Sequence, residues 1–544
     1  MMRGLMMDRP LLISSILEHA ALQSGDIAMV SHTGDLGVHR TSYAELARRA
    51  RRLANALRDI FDIGIGDRIG TLAWNDHRHF ELYYGIAGIG AICHTINPRL
   101  FPEQIAYIIN HAQDGYLFVD PTFLPLVERL APQLPTVRGV VVLSDAAHLP
   151  ASGLPHLYAY EALLEGQPDR FDWPMLDETT ASGLCYTSGT TGNPRGALYH
   201  HRSTILHGLS QALPNSLGLA ADDIALPAVP MFHANAWGLP HACPLVGAGM
   251  VMPGPRLDGA SLYEQLERER VTFSAGVPTV WFALLHHLEA TGKRLSTVRR
   301  VVIGGSAVPR AMIDKFEAQG VEVRHGWGMT EMSPVGAICS FDARAAALPT
   351  EERRRLQLKQ GRPPWGVEMR IIDDEGSPLP RDGASAGLLL VRGPWIASAY
   401  FRDDDATVDA FCDGWFATGD VATIDRHGYM EITDRAKDVI KSGGEWISSI
   451  VLENTAVGHP DLQEAAVIAV PHPRWGERPL LIAVARPDAA VTGADVLAFL
   501  QDKVARWWLP DDVVFVAELP HTATGKLQKS RLREMFKDHA LPTA

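Results

Sequence analysis

The chain has 544 residues, 46% of them apolar and 21% charged. At roughly 100–200 residues per domain that length predicts more than one domain, and the composition excludes wholesale disorder. Its 50 Lys and Arg against 63 Asp and Glu leave a formal charge of −13, which argues against nonspecific binding to nucleic acid or to an anionic membrane, so any phosphate site must be built locally. Cys93, Cys185, Cys243, Cys339 and Cys412 stand far apart with no CxxC pair. Zinc-ribbon and thioredoxin-type sites are therefore disfavoured, and scattered thiols fit a reducing compartment. The start lacks a long apolar region with a small-residue cleavage site, and no apolar run reaches about 18 residues. The expectation is a cytoplasmic protein with no integral membrane segment.

In chain order, TSYAELARRARRLANALRDI has apolar residues at helical spacing behind Thr41, a residue that can cap a helix. GDRIGTLAW predicts a turn and a buried strand, and FELYYGIAGIGAICHTI a helix running into a strand. GYLFVD, GVVVL and RVVIGG are short, apolar and β-branched, like strands of a parallel sheet. The alternation predicts layered α/β structure. After about residue 360, VEMRIID, GLLLVRG and YMEITDR alternate with turns and predict a small β-rich subdomain. AAVIAVP and LLIAVARP then predict strands, and ADVLAFLQDKVARWW a helix. The expected division is a large N-terminal unit, residues 1–436, and a small mobile α+β unit, residues 437–544, with a hinge at Lys437.

The strongest local signal is the run Tyr186 to Gly196, YTSGTTGNPRG. Its glycines let backbone approach a ligand closely, its Ser and Thr supply hydroxyl donors, and Arg195 can pair bidentately with phosphate. No GK[ST] ends it, so it is not a Walker loop. Gly304, Gly305 and Ser306 follow a predicted strand, at the end where open α/β sheets bind ligands. His233 and Trp237 stand four apart in MFHANAW, a spacing that puts both on one face of a helical turn.

With HGWGMTEMSP from His325, GWFATGD from Gly414, DRAKDVIKSGGEWIS from Asp434 and TGKLQK from Thr524, these runs resemble the motifs of the adenylate-forming superfamily, in that family's order and over nearly the whole chain. The superfamily includes acyl-CoA synthetases, peptide-synthetase adenylation domains and luciferases. Arg195 departs from it, since relatives more often carry Lys there. The resemblance implies two half-reactions: a carboxylate displaces pyrophosphate from ATP, and the thiol of CoA then displaces AMP. It implies ATP, Mg²⁺ and CoA, and a phosphate loop of Thr187, Ser188, Gly189, Thr190, Thr191, Gly192 and Arg195. Gly304, Gly305, Ser306, Trp327, Gly328 and Met329 would line the adenine and acyl pocket, with Trp327 stacked on adenine. Asp420 and Arg435 would take the ribose, Thr330 a phosphate oxygen and Glu331 the metal. Lys526, His233 and Thr330 are the candidate catalytic residues, Trp237 the gate of the acyl channel, and Gly443, Gly444 and Glu445 the CoA side. Phe232 and His233 stand where amino-acid-activating relatives carry an Asp, so an acid without an amine is expected. Fatty acids come first; the alternative is a short thioether acid, 3-methylmercaptopropionate. A luciferase-like oxidase and a stand-alone domain serving a carrier protein rank below both. A homodimer is a further expectation of the resemblance.

Overall fold

The computed structural model describes residues 2, 4–33, 37–187, 193–443, 445–487, 489–521 and 527–543. Ser188, Gly189, Thr190, Thr191, Gly192, Gly444 and Lys526 lie outside the described residues. Among the described residues the strands form four sheets.

A seven-stranded sheet centres on Arg68–Leu72, flanked by Ile92–Thr95 and Tyr116–Val119, and its pairs are parallel except for the edge strand Gly196–His200. An eight-stranded sheet carries Ile224–Pro227, Phe273–Gly276 and Arg300–Ile303 side by side, also parallel. Successive residues of these strands enter different cores. Val141 joins the core shared by the two sheets, while Val140 and Val142 join the one beneath the first sheet. Val302 likewise joins the shared core while Val301 and Ile303 pack under Trp281 and Phe316. Strands buried on both faces have no polar side, which is why they read as unbroken apolar runs. Helix His77–Gly88 lies between the sheets, and eleven of its residues are buried.

The third sheet is antiparallel, built on Glu368–Ile372, Gly387–Arg392, Trp415–Ile424 and Met430–Arg435. The fourth begins at Ile440–Ser442 and is dominated by the hairpin Leu462–His472 with Gly476–Ala485. Lys437 lies in the turn between these last two sheets, where Asp438 and Val439 N–H groups both donate to the Arg435 carbonyl.

Two expectations shift. The second helix runs Tyr43–Asp59 and is capped by Ser42, whose hydroxyl accepts from Glu45 N–H at 3.4 Å. Thr41 is instead paired opposite Met29 in a strand. The helix expected through Trp508 is Gly493–Gln501 alone. Trp507 and Trp508 belong to a separate short turn, held by the Arg478 guanidinium, which donates to Trp507 O and Leu509 O.

Candidate active site

Where the strand ends of the eight-stranded sheet meet the third sheet and the last helix, they enclose a cavity of about 810 Å³. Thr187 and Arg195 line it from the two ends of the Gly-rich run. Thr187 N–H donates to Arg195 O at 2.8 Å, which closes the base of that loop. At the next chain position Tyr186 fixes the stem, its hydroxyl 2.7 Å from His111 Nδ1. Thr330 and Glu331 line the same end. Tyr199 hydroxyl donates to Thr330 O at 2.6 Å. Glu331 is 5% exposed and accepts from Tyr400 hydroxyl at 2.7 Å, so it is a built-in carboxylate, not a solvated loop residue. Burial and the neighbouring Glu331 charge push the Tyr400 phenol well above its usual value, so it stays a donor. The Arg195 guanidinium lies 5.3 Å over the Tyr400 ring.

Trp327, Gly328, Met329, Thr418, Gly419 and Arg435 continue the wall. Asp420 sits behind it. Its carboxylate is 2% exposed, accepts from Trp327 Nε1 at 2.9 Å and pairs with Arg435 Nε at 2.8 Å. The indole packs over Gly336, where a Cβ would come within 2.6 Å of the ring. Asp420 therefore fixes the directions of two wall residues, which are aromatic and cationic.

The other end is apolar, with Val277, Val280, Val302, Val335 and Ile338 among its walls beside His233 and Trp237. The expected right-handed turn does not carry these last two. Residues 234–238 all have positive φ, with Trp237 at 55° and Gly238 at 82°, so the chain makes a left-handed turn. Its strain is offset by bonds from the helices His201–Ala212 and His77–Gly88. Gln211 Nε2 donates to Trp237 O, and Asn235 Oδ1 accepts from Tyr83 hydroxyl at 3.2 Å. A side chain at position 238 would place its Cβ 2.7 Å from His207. One turn before Gln211, His207 Nε2 accepts from Val335 N–H at 3.2 Å. Burial pushes His207 down to about 3, so it is neutral and free to accept. Gly304 completes this end: a Cβ there would meet Gly326 O at 2.8 Å and the Trp237 ring at 3.3 Å.

The last unit closes the cavity with Leu527, Gln528, Lys529 and Ser530, and the turn between the sheets adds Lys437. Burial holds the Lys437 ammonium below its usual value. Lys529 is engaged with Glu453 at 2.7 Å and Ser449 Oγ at 2.6 Å.

The cavity thus gathers Thr187, Arg195, His233, Trp237, Gly304, Gly305, Trp327, Gly328, Met329, Thr330, Glu331, Arg435 and Lys437. Ser306 is exposed and lies off its walls, as do Gly443, which packs against Trp475 and Trp507, and the backbone of Glu445. Tyr400, Tyr199, His207 and Gln211 escaped the sequence reading. None sits in a spaced motif, and each acts on a partner at least 26 positions away.

The chain matches the AMP-binding enzyme family over residues 17–401 and the AMP-binding enzyme C-terminal domain over residues 451–526. It is 51% identical over 538 residues to a 3-methylmercaptopropionyl-CoA ligase of Ruegeria pomeroyi, covering 99% of each chain. It is 49% identical over 538 residues to a medium-chain-fatty-acid–CoA ligase of Ectopseudomonas oleovorans, covering 99% of this chain and 98% of the relative. Among solved structures, the anthranilate CoA ligase AuaEII in complex with anthranoyl-AMP superposes with a TM-score of 0.85 at 27% identity, covering 97% of this chain and 98% of that one.

Proposed function

Because the chain belongs to the AMP-binding enzyme family, we propose that its cavity activates an aliphatic monocarboxylic acid as the acyl adenylate. The chain is an ATP-dependent acyl-CoA synthetase: ATP, a carboxylic acid and CoA are its substrates. The observation that carries the finer reading is the division of one cavity into a polar end, with Arg195, Thr330 and Glu331, and an apolar end ringed by valines.

In the first step a carboxylate oxygen bonds to the α-phosphorus and pyrophosphate leaves. Two anions must meet, so the protein has to supply positive charge and hold the line of attack. Arg195 faces the triphosphate from the base of the Gly-rich loop, and Thr330 offers a hydroxyl. Mg²⁺ is bound by one or two carboxylates together with substrate phosphates, and Glu331, a buried carboxylate on the cavity wall, fits that donor set. Among the described residues no group of three or more His, Cys, Asp or Glu could hold a metal by itself. Glu331 would hold the ion, whose chemistry is neutralisation of phosphate charge. Trp327 and Arg435 border the nucleoside, with Asp420 setting their directions. Lys526 supplies charge at the attacking carboxylate; its chain neighbours Leu527 and Gln528 line the cavity.

In the second step the CoA thiol gives its proton to solvent, its sulfur bonds to the acyl carbon, and AMP leaves with the electron pair of the broken acyl C–O bond. Access for CoA requires the unit 437–544 to turn about Lys437, bringing Gly443 to Glu445 towards the cavity. Trp237 closes the acyl end against water, which protects the hydrolysable adenylate.

A short thioether acid is the second reading, favoured by the 51% identity to the Ruegeria enzyme. AMP release with CoA, measured across straight-chain acids of increasing length and 3-methylmercaptopropionate, tests both. A kcat/KM peak at medium chains supports the first reading, a peak at the thioether acid the second. No AMP from any acid overturns both.

A further inference from the structure

Between Gly393 and Asp403 the chain crosses the polar end of the cavity in an irregular segment that belongs to no motif of the sequence reading and leads into the helix Asp404–Ala410. It makes three hydrogen bonds to the polar end of the site. Ala397 N–H donates to Glu331 O at 2.7 Å, Tyr400 hydroxyl donates to Glu331 Oε1 at 2.7 Å, and Phe401 N–H donates to Gly196 O at 2.8 Å. One short stretch therefore grips both the metal-side carboxylate and the stem of the Gly-rich loop. The stretch is itself pinned: Tyr400 N–H donates to Thr407 Oγ1 at 2.9 Å, and the Tyr400 ring packs edge-on to Phe411 at 5.5 Å. Tyr400 is 7% exposed.

The ring has a second partner. Arg195 lies 5.3 Å above it. A planar guanidinium stacks on an aromatic face in a way an ammonium does not. This is the position where the resemblance leads one to expect Lys, so the stack belongs to this chain's own choice of residue. The hydroxyl of Tyr400 thus orders an anion while its face orders a cation.

We propose that Tyr400 is a positioning residue that holds the Glu331 carboxylate and the Arg195 guanidinium at a fixed spacing around the triphosphate. The inference rests on the adenylating reading of the cavity. Holding the Glu331 and Arg195 side chains in place before ATP arrives removes the cost of ordering them from binding.

The test uses the full chain with Tyr400→Phe, which keeps the ring and removes the hydroxyl. ATP binding is measured by calorimetry with Mg²⁺ and again in EDTA. The expected result is about a tenfold loss of affinity with Mg²⁺, the size of one hydrogen bond to a charged group, and an unchanged affinity in EDTA. Thioester formation from supplied acyl-AMP should stay within about twofold of the parent. A purely structural Tyr400 would lower both affinities alike, and that result, or no loss with Mg²⁺, overturns the proposal. Arg195→Lys reads the other half independently and guards against a Tyr400 variant that does not fold: ATP affinity should fall in both conditions, and unchanged affinity overturns the role of the stack. Failure of the adenylating reading looks different, since the parent would then form no acyl-AMP from any acid.

Discussion

The two ends of the cavity are built by opposite means. At the polar end, functional groups do the work and the backbone serves to hold them: Glu331 on Tyr400, Trp327 and Arg435 on Asp420, the Gly-rich loop closed by Thr187 N–H on Arg195 O. At the apolar end the backbone itself is the device. A left-handed turn at residues 234–238 aims Trp237, and Gly304 and Gly238 are needed because any Cβ would collide. Charge must be placed at fixed points to stabilise a transition state, whereas an alkyl chain asks only for a space of the right shape. The first end should therefore fail through rate and nucleotide affinity, the second through selectivity among acids.

The largest effect is expected at Lys526. Lys526→Ala should slow adenylation by about 10²–10³-fold, the cost of removing one preorganised charge or donor, and spare thioester formation from supplied acyl-AMP. Pyrophosphate exchange and a single-turnover thioester assay measure the two halves. Equal losses would break the link between this lysine and the polar end. Next comes Asp420→Ala. It frees the Trp327 indole and the Arg435 guanidinium, and losing hydrogen bonds to a charged group should weaken ATP by about 10–100-fold. Calorimetry with ATP checks this, and the KM for the acid should barely move.

The same contrast decides what was legible in the sequence. The parallel strands were readable because burial on both faces leaves no polar alternation, as in GVVVL. The polar end was readable because its groups come in short runs, such as Thr330 with Glu331. Trp237 was found for its place in MFHANAW, but by the wrong geometry: i, i+4 spacing presumes right-handed helix, and residues 234–238 wind the other way. Nothing in Ala234-Asn235-Ala236 announces positive φ. The bonds that stabilise it come from Gln211 and Tyr83, far off in the chain. Tyr400 was missed for the same reason, since its partners are Glu331 and Arg195 and no spacing rule connects them. The cap slipped by one position because Thr41 and Ser42 are both capping residues and both end the same strand, and it is the Ser42 hydroxyl that stands three residues before Glu45 and accepts its N–H.

A smaller effect separates shape from charge. Trp237→Ala should leave ATP affinity unchanged and shift the kcat/KM ratio of a long to a short acid by about tenfold, the scale of discrimination in an apolar pocket. Long acids should lose less, since they still fill the opened channel. A large drop in melting temperature with an unchanged ratio would make Trp237 a core residue and remove the gate from the comparison.

The smallest effect on turnover is expected from pH, which should lower stability before it disturbs either end of the cavity. Burial pushes His207 and His241 down to about 3, and His79, His201 and His325 to about 4, from an ordinary value of 6.5. A folded-state pKa below the unfolded one means that the folded chain binds fewer protons. The stabilisation is then fully present above pH 6.5 and is lost as pH falls from there towards 4 and 3. Each such group can contribute at most about 1.4 kcal/mol per pH unit within its window. His207 ties this loss to the apolar end, because it accepts Val335 N–H and packs beneath Gly238, so it touches both walls there. A proton on Nε2 would oppose the Val335 bond directly. Melting temperature should therefore be flat above pH 6.5 and decline below it. His207→Gln, which keeps an acceptor and cannot ionise in this range, should flatten the decline. Between pH 7.5 and 5.5 the folded chain keeps His207 neutral, so the long-to-short acid ratio should hold while the melting temperature declines. Melting curves and paired kcat/KM values at pH 7.5, 6.5 and 5.5 read both effects, and an acid ratio that drifts in this range would mean that His207 takes a proton in the folded chain well above about 3.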